Sequence, residues 1–348
     1  MRTRTYLDWN ATAPLCEAAR EAMIAAMDLV GNPSSVHGEG RAAKGLMERA
    51  RAQVAEAFGA QGADIVFTSG ATEAAALALS GKGMHCAAVE HEAVSSWCAA
   101  DLAVDRAGHV SVSDPAQSAV QIANSETGIV QTLPEGLAVC DATQGFGKIP
   151  LAFNWMGCDM ALLSAHKLGG PKGIGALVLK QGLDVEATIK GGGQEMGRRS
   201  GTENLIGIAG FGAAAERAAK QLADGVWEEV AEKRDHLEAL LANGVQDPIF
   251  VGKGETRLPN TMSLITPGWK GETQVMQMDL AGFAVSAGSA CSSGKVRASK
   301  VLTAMGYSDE DAACALRVSI GPEVTKEELE RFATAWLSAF GRWRTRAA

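Results

Sequence analysis

The 348-residue chain lacks several features that mark particular protein classes. Its seven cysteines are odd in number and form no Cys-x-x-Cys pair, which argues against a disulfide framework or a zinc ribbon and predicts reduced thiols. The N-terminus has no apolar core typical of a signal peptide. No segment approaches the ~18 consecutive apolar residues that a membrane span needs. We therefore expect a cytoplasmic protein that inserts into no membrane.

A surplus of positive charge is also missing. The net charge of -8 argues against a protein that binds the phosphate backbone of nucleic acids. His91 and Glu92 begin like a zinc-protease motif, but the second histidine is absent, so we expect no metal site. A hydrophobic content of 47% and a charged content of 21% are those of an ordinary globular chain. The length predicts about two domains.

Short apolar runs alternate with helical patterns over the first two thirds of the chain. This alternation predicts an α/β fold with a mostly parallel central sheet and flanking helices. Predicted helices include 14–30, 40–58 and the segment from Asn204 to Ala219. The predicted strands of the sheet are 65–68, 86–89, 119–123, 137–140, 161–163 and 175–179.

The pattern changes near residue 224. Short predicted strands at 260–265, 283–286 and 316–320 lie among helices, and a capping-box pattern at Thr325 opens the last one. This predicts a smaller α+β domain. We therefore expect a large domain at 14–223 and a small domain formed by 1–13 and 224–348.

A lysine and an acid follow successive predicted strands. Lys167 comes after the apolar run 160–163 and before a glycine-rich turn, and Asp141 ends the run 137–140. Pyridoxal 5'-phosphate (PLP) needs a lysine for its Schiff base and an acid beside its pyridine nitrogen. The alternative is that Asp141 caps a helix and Lys167 is a solvated loop residue.

Two turns could hold an anion. Ser69-Gly70-Ala71-Thr72 lies between a predicted strand and a helix, whose first amides can bind a phosphate. The simpler alternative is a tight turn with Thr72 as the helix cap. The glycine-rich stretch 191–202 contains Arg198 and Arg199. It forms either a surface loop or an anion-binding turn.

Two further residues could react with or bind a substrate. Cys291 lies among small residues, so it is either a small buried thiol or an accessible nucleophile. Arg317 lies in an apolar strand-like run. Its planar guanidinium group either forms an ion pair with an acidic residue or binds a substrate carboxylate.

These segments, in this order, resemble the cysteine desulfurases, which belong to the class V aminotransferase group of fold-type I PLP enzymes. The resemblance runs from Tyr6 to the last helix. The matching segments are 31–35, 68–73, Glu90-His91, 141–144, 164–173, 199–202, Pro259-Asn260, 289–292 and Arg317. The resemblance implies the fold of a fold-type I PLP-dependent transferase.

The resemblance also implies roles for individual residues. Lys167 would form the Schiff base, His91 would stack on the ring as an acid/base, and Cys291 would accept sulfur. Arg317, with the help of Asn32, would bind the carboxylate of L-cysteine. The implied cofactor-binding residues are Ala71, Thr72, His91, Ser125, Asp141, Gln144, Ser164, His166, Lys167 and, from the partner subunit of a homodimer with shared active sites, Thr202.

The sequence departs from the family pattern in two places. Ser125 stands where the family usually has a second asparagine after Asn124. Only residues 132–140 separate Gln131 from Asp141, where the family has room for a helix. A parallel crossover needs a dozen or more residues. Either the helix is deleted and a loop crosses directly, or the topology changes.

The function implied is conversion of L-cysteine to L-alanine, with a persulfide on Cys291 for transfer to a sulfur-accepting scaffold or carrier protein. Alternatives on the same scaffold are selenocysteine lyase, cysteine-sulfinate desulfinase and a small-amino-acid aminotransferase. A further alternative is a weakly active interaction protein that holds PLP. Iron–sulfur cluster assembly, thiolated tRNA and other cofactors all stay open as destinations of the sulfur.

Overall fold

The computed structural model describes residues 4–245, 248–288 and 298–347. Its helices are α1 (Glu17–Met27), α2 (Gly38–Ala57), α3 (Ala71–Leu79), α4 (Glu92–Ser95), α5 (Leu205–Ala223), α6 (Val226–Gly244), α7 (Gly271–Ala281), α8 (Lys300–Ala304), α9 (Asp309–Ala312) and α10 (Lys326–Ala347). Its strands are β1 (Thr5–Tyr6), β2 (Asp64–Thr68), β3 (His85–Ala87), β4 (Ala99–Leu102), β5 (Ala119–Gln121), β6 (Leu137–Asp141), β7 (Cys158–Ser164), β8 (Gly175–Leu179), β9 (Ile249–Phe250), β10 (Thr261–Ile265), β11 (Phe283–Ala284), β12 (Ser286–Ala287) and β13 (Ala315–Ser319).

The central sheet has the strand order β2-β8-β7-β6-β5. A parallel bridge between His85 and Ser118 continues it to β3, which pairs in parallel with β4. Within the described chain only β8 runs against the other strands of this sheet. The prediction of a mostly parallel sheet is therefore confirmed. The strands are buried on both faces, as expected for a sheet covered by helices.

The shortened crossover keeps the topology intact. β5 and β6 are parallel neighbours, with Ala119 opposite Val139. They are joined by 122–136, which contains no helix but folds back on itself through an antiparallel bridge between Ala123 and Val130. The loop therefore crosses directly, which was one of the two outcomes expected from the sequence.

Helices cover the two faces of the sheet. α1, α2 and α5 pack against one face around Phe58 and Phe211, and α3 and α4 lie on the other face beside Val139. A Cβ at Gly212 in α5 would lie 2.8 Å from the Cα of Ala50 in α2. Glycine at that position therefore allows the two helix backbones to approach closely.

A second sheet, with the order β12-β13-β10-β9, is antiparallel throughout. α6, α7 and α10 cover it with an aromatic cluster in which the rings of Trp336 and Phe340 stack with centroids 5.6 Å apart. Leu7, next to β1, packs in the same core because β1 pairs with β11. The boundaries at 14–223 and at 1–13 with 224–348 stay a prediction.

Some predicted elements were wrong in detail. α1 begins at Glu17 and not at Pro14, because the backbone amides of Ala13 and Cys16 donate to carbonyls of the turn after β7. The predicted strand 283–286 is interrupted at Val285. Sequence reasoning missed β4, an exposed strand that lacks the apolar alternation of a half-buried one. None of the described helices is long and apolar enough to cross a bilayer.

Candidate active site

Lys167 lies in the turn that reverses the chain between β7 and β8. Residues 165–167 form one turn of 3-10 helix directly after β7. The half-buried Nζ donates to the carbonyl oxygens of Asn10 at 2.6 Å and Ala11 at 2.9 Å. The N-terminal segment after β1 therefore holds the lysine at the carboxyl end of the parallel strands.

Asp141 ends β6, the strand next to β7 in the sheet. Its side chain is buried, and one carboxyl oxygen accepts from the amide of Thr143 at 2.9 Å. Gln144 follows in the same turn and donates from Nε2 to the carbonyl of Asn10 at 2.9 Å. The parallel pairing thus brings Asp141 and Lys167 to the same edge, as the sequence predicts.

A cavity of about 890 Å³ opens at this edge. Its lining includes ten of the residues predicted for the site: Ala71, Thr72, His91, Ser125, Asp141, Gln144, Ser164, His166, Lys167 and Arg317. Asn32 and Thr202 lie outside the cavity, and both are exposed on this chain. Cys291 lies outside the described residues. Gly288 and Ala298, the described residues on either side of it, line the cavity.

The N-terminus of α3 forms one end of the cavity. Ala71 and Thr72 are its first residues, so backbone amides there lack partners within the helix. A Cβ at Gly175 in β8 would lie 2.7 Å from the Cα of Gly70, so glycine lets the strand approach this turn closely. Ser164 adds a hydroxyl to the same cavity. Amides, a hydroxyl and the helix dipole are the chemistry that binds a phosphate.

His166 and Lys172 also line the cavity. Burial lowers the pKa of His166 to about 4, and the charges of Lys167, Lys172 and Lys148 act in the same direction. The ring is therefore neutral at pH 7. Its Nδ1 lies 3.1 Å from the hydroxyl of Thr12, which leaves Nε2 for a bound group.

Arg317 also lines the cavity, next to Asp8 and Ser125. Its Nη2 donates to Asp8 at 2.7 Å and its Nη1 donates to the carbonyl of Ser125 at 3.1 Å. Its Nε is buried and has no hydrogen-bond partner among the described residues. Ser125 therefore contacts the arginine through its backbone, while Asn124 uses its side chain to cap the following turn.

His91 precedes α4 and is exposed on the cavity wall. Its Nδ1 accepts from the amide of Ala93 at 3.1 Å. In the neutral ring this contact places the proton on Nε2. The ring is thus oriented by the helix that it caps.

Sequence reasoning gave no role to four polar residues in or beside the site: Asn10, Glu90 and Glu126, which line the cavity, and Lys148, which lies next to Gln144. Burial, reinforced by the charge of Asp141, raises the pKa of Glu90 well above its usual range. Burial also raises the pKa of Glu126 to about 7, although the hydroxyl of Ser299 and the charge of Arg317 oppose it. Glu90 and Glu126 each neighbour a residue that the family pattern singles out, so sequence adjacency was the available signal. Only contacts across the chain show the part played by Asn10.

Three comparisons identify the relatives of this chain. The model of the class-V aminotransferase family matches residues 5–112 and 109–332. The chain belongs to that family. It is 36% identical to the cysteine desulfurase IscS of Dictyoglomus turgidum over 94% of this chain and 92% of that protein. It is also 36% identical to the cysteine desulfurase IscS 1 of Archaeoglobus fulgidus over 94% of each chain.

Among solved structures, the NifS-like protein of Rickettsia africae superposes on this class-V chain with a TM-score of 0.88 and 30% identity, over 97% of this chain and 99% of that one. The matches confirm the predicted family, the predicted α/β fold class and an enzyme with cysteine desulfurase function. Enzymes of this family use PLP.

Proposed function

We propose that this class-V enzyme binds PLP and converts L-cysteine to L-alanine, with a persulfide formed on Cys291. The placement of Lys167 and Asp141 carries the proposal. These side chains lie at the ends of adjacent strands and line one cavity, which the N-terminus of α3 also lines. Lysine, acid and phosphate site are the three groups that PLP requires of a protein.

The residues present fit that cofactor. Amides of Ala71 and Thr72, the hydroxyl of Ser164 and the neutral ring of His166 would hold its phosphate. Asp141 would accept from its pyridine nitrogen, and bound PLP would supply an electron sink for the substrate. Lys167 would hold its aldehyde carbon covalently until the substrate amine replaces the lysine.

The remaining steps belong to side chains of this chain. Arg317 would orient the substrate carboxylate, because its Nε is buried without a partner among the described residues and faces the same cavity wall as Ser125. Lys167, once displaced, would take the proton from Cα. His91 would move protons at the substrate thiol and amine, since its Nε2 carries the proton in the neutral ring. Asn32 would help Arg317 only if a partner subunit supplies it, because Asn32 lies outside the cavity of its own chain.

Sulfur transfer requires a thiolate at position 291. Cys291 would attack the substrate sulfur, so that the S–S bond forms as the C–S bond breaks. The electron pair left on Cβ takes a proton, Lys167 would return a proton to Cα, and alanine would depart as the lysine amine replaces the product amine. A second thiol, supplied by a reductant or an acceptor protein, then releases the sulfur as sulfide or carries it on.

We also propose a homodimer with shared active sites. Thr202 is exposed on its own chain, on a segment held to β2 of the large sheet by buried Glu195, which accepts from the amide of Phe67 at 3.0 Å. Val30 and Val36, on either side of Asn32, are 79% and 88% exposed. A second copy would cover such apolar side chains and receive Thr202. Sedimentation velocity tests this: a dimer is expected, and a monomer at micromolar concentration contradicts it.

The sulfur destination and the cellular location are part of the proposal. Six cysteines of the described residues are free thiols, which favours a reducing cytoplasm. The IscS-type relatives favour delivery of sulfur to a scaffold or carrier protein for iron–sulfur cluster assembly. Fractionation of the cells that contain the protein tests the location. Transfer of labelled sulfur from L-cysteine to a candidate scaffold tests the acceptor.

The decisive experiment supplies L-cysteine and dithiothreitol to the PLP-loaded protein and measures alanine and sulfide together. Equal amounts of both products are expected. The Cys291→Ala variant serves as the control, because it should keep the visible absorption of the cofactor and yet release no sulfide. Absence of both products from the wild-type protein refutes the function, and persistent turnover in the variant assigns the nucleophile elsewhere.

A further inference from the structure

A second lysine lies beside the site and has no part in the proposed chemistry. Lys148 is only 2% exposed, four residues beyond Gln144. Its Nζ donates to Oε1 of Gln144 at 2.7 Å and to Oδ1 of Asn10 at 3.2 Å. Both acceptors are neutral amides. In the described part of the chain Lys148 forms no ion pair.

Burial of an amine without a carboxylate is costly. Burial lowers the pKa of Lys148 well below its usual range, and the charges of Lys167 and Arg317 lower it further. An apolar side chain of similar length would avoid that cost. The amine is therefore unfavourable for folding, so its hydrogen bonds point to a role in the site.

Those hydrogen bonds lead directly to the catalytic lysine. The carbonyl oxygen of Asn10 accepts from Nε2 of Gln144 at 2.9 Å and from Nζ of Lys167 at 2.6 Å. The side-chain oxygen of Asn10 accepts from Lys148 and, at 3.0 Å, from Asn260. Lys148 is thus joined to Lys167 through Gln144 and Asn10.

The contact with Lys148 decides which end of the Gln144 amide faces the cavity. A glutamine amide has an acceptor oxygen and a nitrogen with two hydrogens. Lys148 donates a hydrogen bond to the amide oxygen of Gln144, so the amide nitrogen of Gln144 points towards Asn10 and Lys167. One of its hydrogens bonds the carbonyl of Asn10, which leaves the other for a bound group.

We propose that Lys148 is a positioning residue, whose buried amine fixes the Gln144 amide so that its nitrogen donates to the ring oxygen of the bound cofactor. The inference rests on the proposed function, because it assumes that PLP occupies the cavity. Lys148 touches neither substrate nor cofactor. It acts through Gln144 and through the carboxamide of Asn10.

The test is a pH titration of the visible absorption band of PLP bound to the protein, measured without substrate. A hydrogen bond donated to the ring oxygen of PLP lowers the pKa of the proton that this oxygen shares with the nitrogen linking PLP to Lys167. Loss of that hydrogen bond should therefore raise the pKa. Lys148→Met removes the amine at similar length, so the titration midpoint should rise by about one pH unit. Lys148→Gln keeps a hydrogen-bond donor, so its midpoint should lie between those of the wild-type protein and Lys148→Met. Lys82→Met, an exposed lysine, is the control and should leave the midpoint unchanged.

A double-mutant cycle separates positioning through Gln144 from a direct effect of the amine. Gln144→Leu should raise the midpoint by itself, and adding Lys148→Met should then change nothing. If Lys148→Met raises the midpoint equally in the wild-type protein and in the Gln144→Leu variant, the proposal is overturned. An unmoved midpoint in Lys148→Met, or a variant that no longer folds, would also overturn it, since the amine would then be structural. A wild-type protein without a visible band would refute the proposed function and this inference with it.

Discussion

Arg317 and Asp8 form an ion pair on the wall of the cavity, with Nη2 2.7 Å from the carboxyl oxygen. The side chains are only 12% and 18% exposed. The arginine that we propose for the substrate carboxylate is therefore already oriented by an acid. Because Nη2 of Arg317 already donates to Asp8, a substrate carboxylate would accept hydrogen bonds from the other guanidinium nitrogens or would replace Asp8.

Loss of the Arg317 side chain should weaken substrate binding more than catalysis. A hydrogen bond to a charged group contributes roughly 1.5–3 kcal/mol, so Arg317→Ala should raise the KM for L-cysteine roughly 10–100-fold. Initial rates against L-cysteine concentration measure this. Asp8→Asn is the matched variant, which keeps a hydrogen bond but removes the competing charge, so its KM should not rise. An unchanged KM in Arg317→Ala removes this residue from the carboxylate site.

Lys167→Ala should abolish covalent attachment of PLP. The variant should show no visible band after addition of the cofactor and no label after borohydride reduction, because no other amine takes its place in the proposed chemistry. Lys172 lines the same cavity and provides the control. Lys172→Ala should keep both the band and the label. A label retained in Lys167→Ala would show that another lysine holds the cofactor.

Glu126 should make stability depend on pH. Its pKa in the folded protein is about 7, against an ordinary value of 4.5, because it is buried. The folded protein therefore keeps a proton that the unfolded chain releases above pH 4.5. This contribution to stability is present below about pH 4.5 and is lost as the pH rises through 7.

Glu126→Gln keeps an acceptor for Ser299 and removes the charge. Its free energy of unfolding, relative to the wild-type protein, should rise by up to about 3 kcal/mol between pH 4.5 and pH 8.5. Urea unfolding at several pH values measures the difference. If the difference in free energy of unfolding between the variant and the wild-type protein is the same at every pH, burial does not raise the pKa of Glu126.

Among the ion pairs of the described residues, the buried pair of Glu238 and Arg257 should be the most costly to break. Both side chains are 4% exposed, and the two contacts are 2.7 and 3.3 Å. Glu238→Ala leaves Arg257 buried without its partner, so the free energy of unfolding should fall by about 3–5 kcal/mol. Lys220→Met, which removes an exposed pair with Asp224, should change it by no more than about 1 kcal/mol. If urea unfolding shows that Glu238→Ala and Lys220→Met lower the free energy of unfolding equally, the buried pair is no more costly to break than the exposed one.

Much of the site followed from local chemistry. Asp141 and Lys167 follow apolar runs, and a parallel sheet brings the ends of such runs to one edge, so the sequence alone was enough to predict that they lie close together. The turn before α3 was recognised in the same way. The direction of β8 was not predicted, although the short turn from β7 leaves no room for a parallel crossover.

The amino-acid sequence by itself was enough to predict most of the order of strands and helices, and its polar residues at the ends of apolar runs pointed to Asp141 and Lys167, because both are local signals. The family and the full set of ten cavity residues came from the resemblance of ordered motifs to the cysteine desulfurases. Only the tertiary structure decided the partners of Arg317 and Gln144. Asp8 lies far from Arg317 in the chain, and the carbonyl of Asn10 reaches Gln144 only because β1 joins the distant strand β11. The burial that shifts the pKa values of Lys148 and Glu126 likewise depends on such long-range packing, which no local pattern encodes.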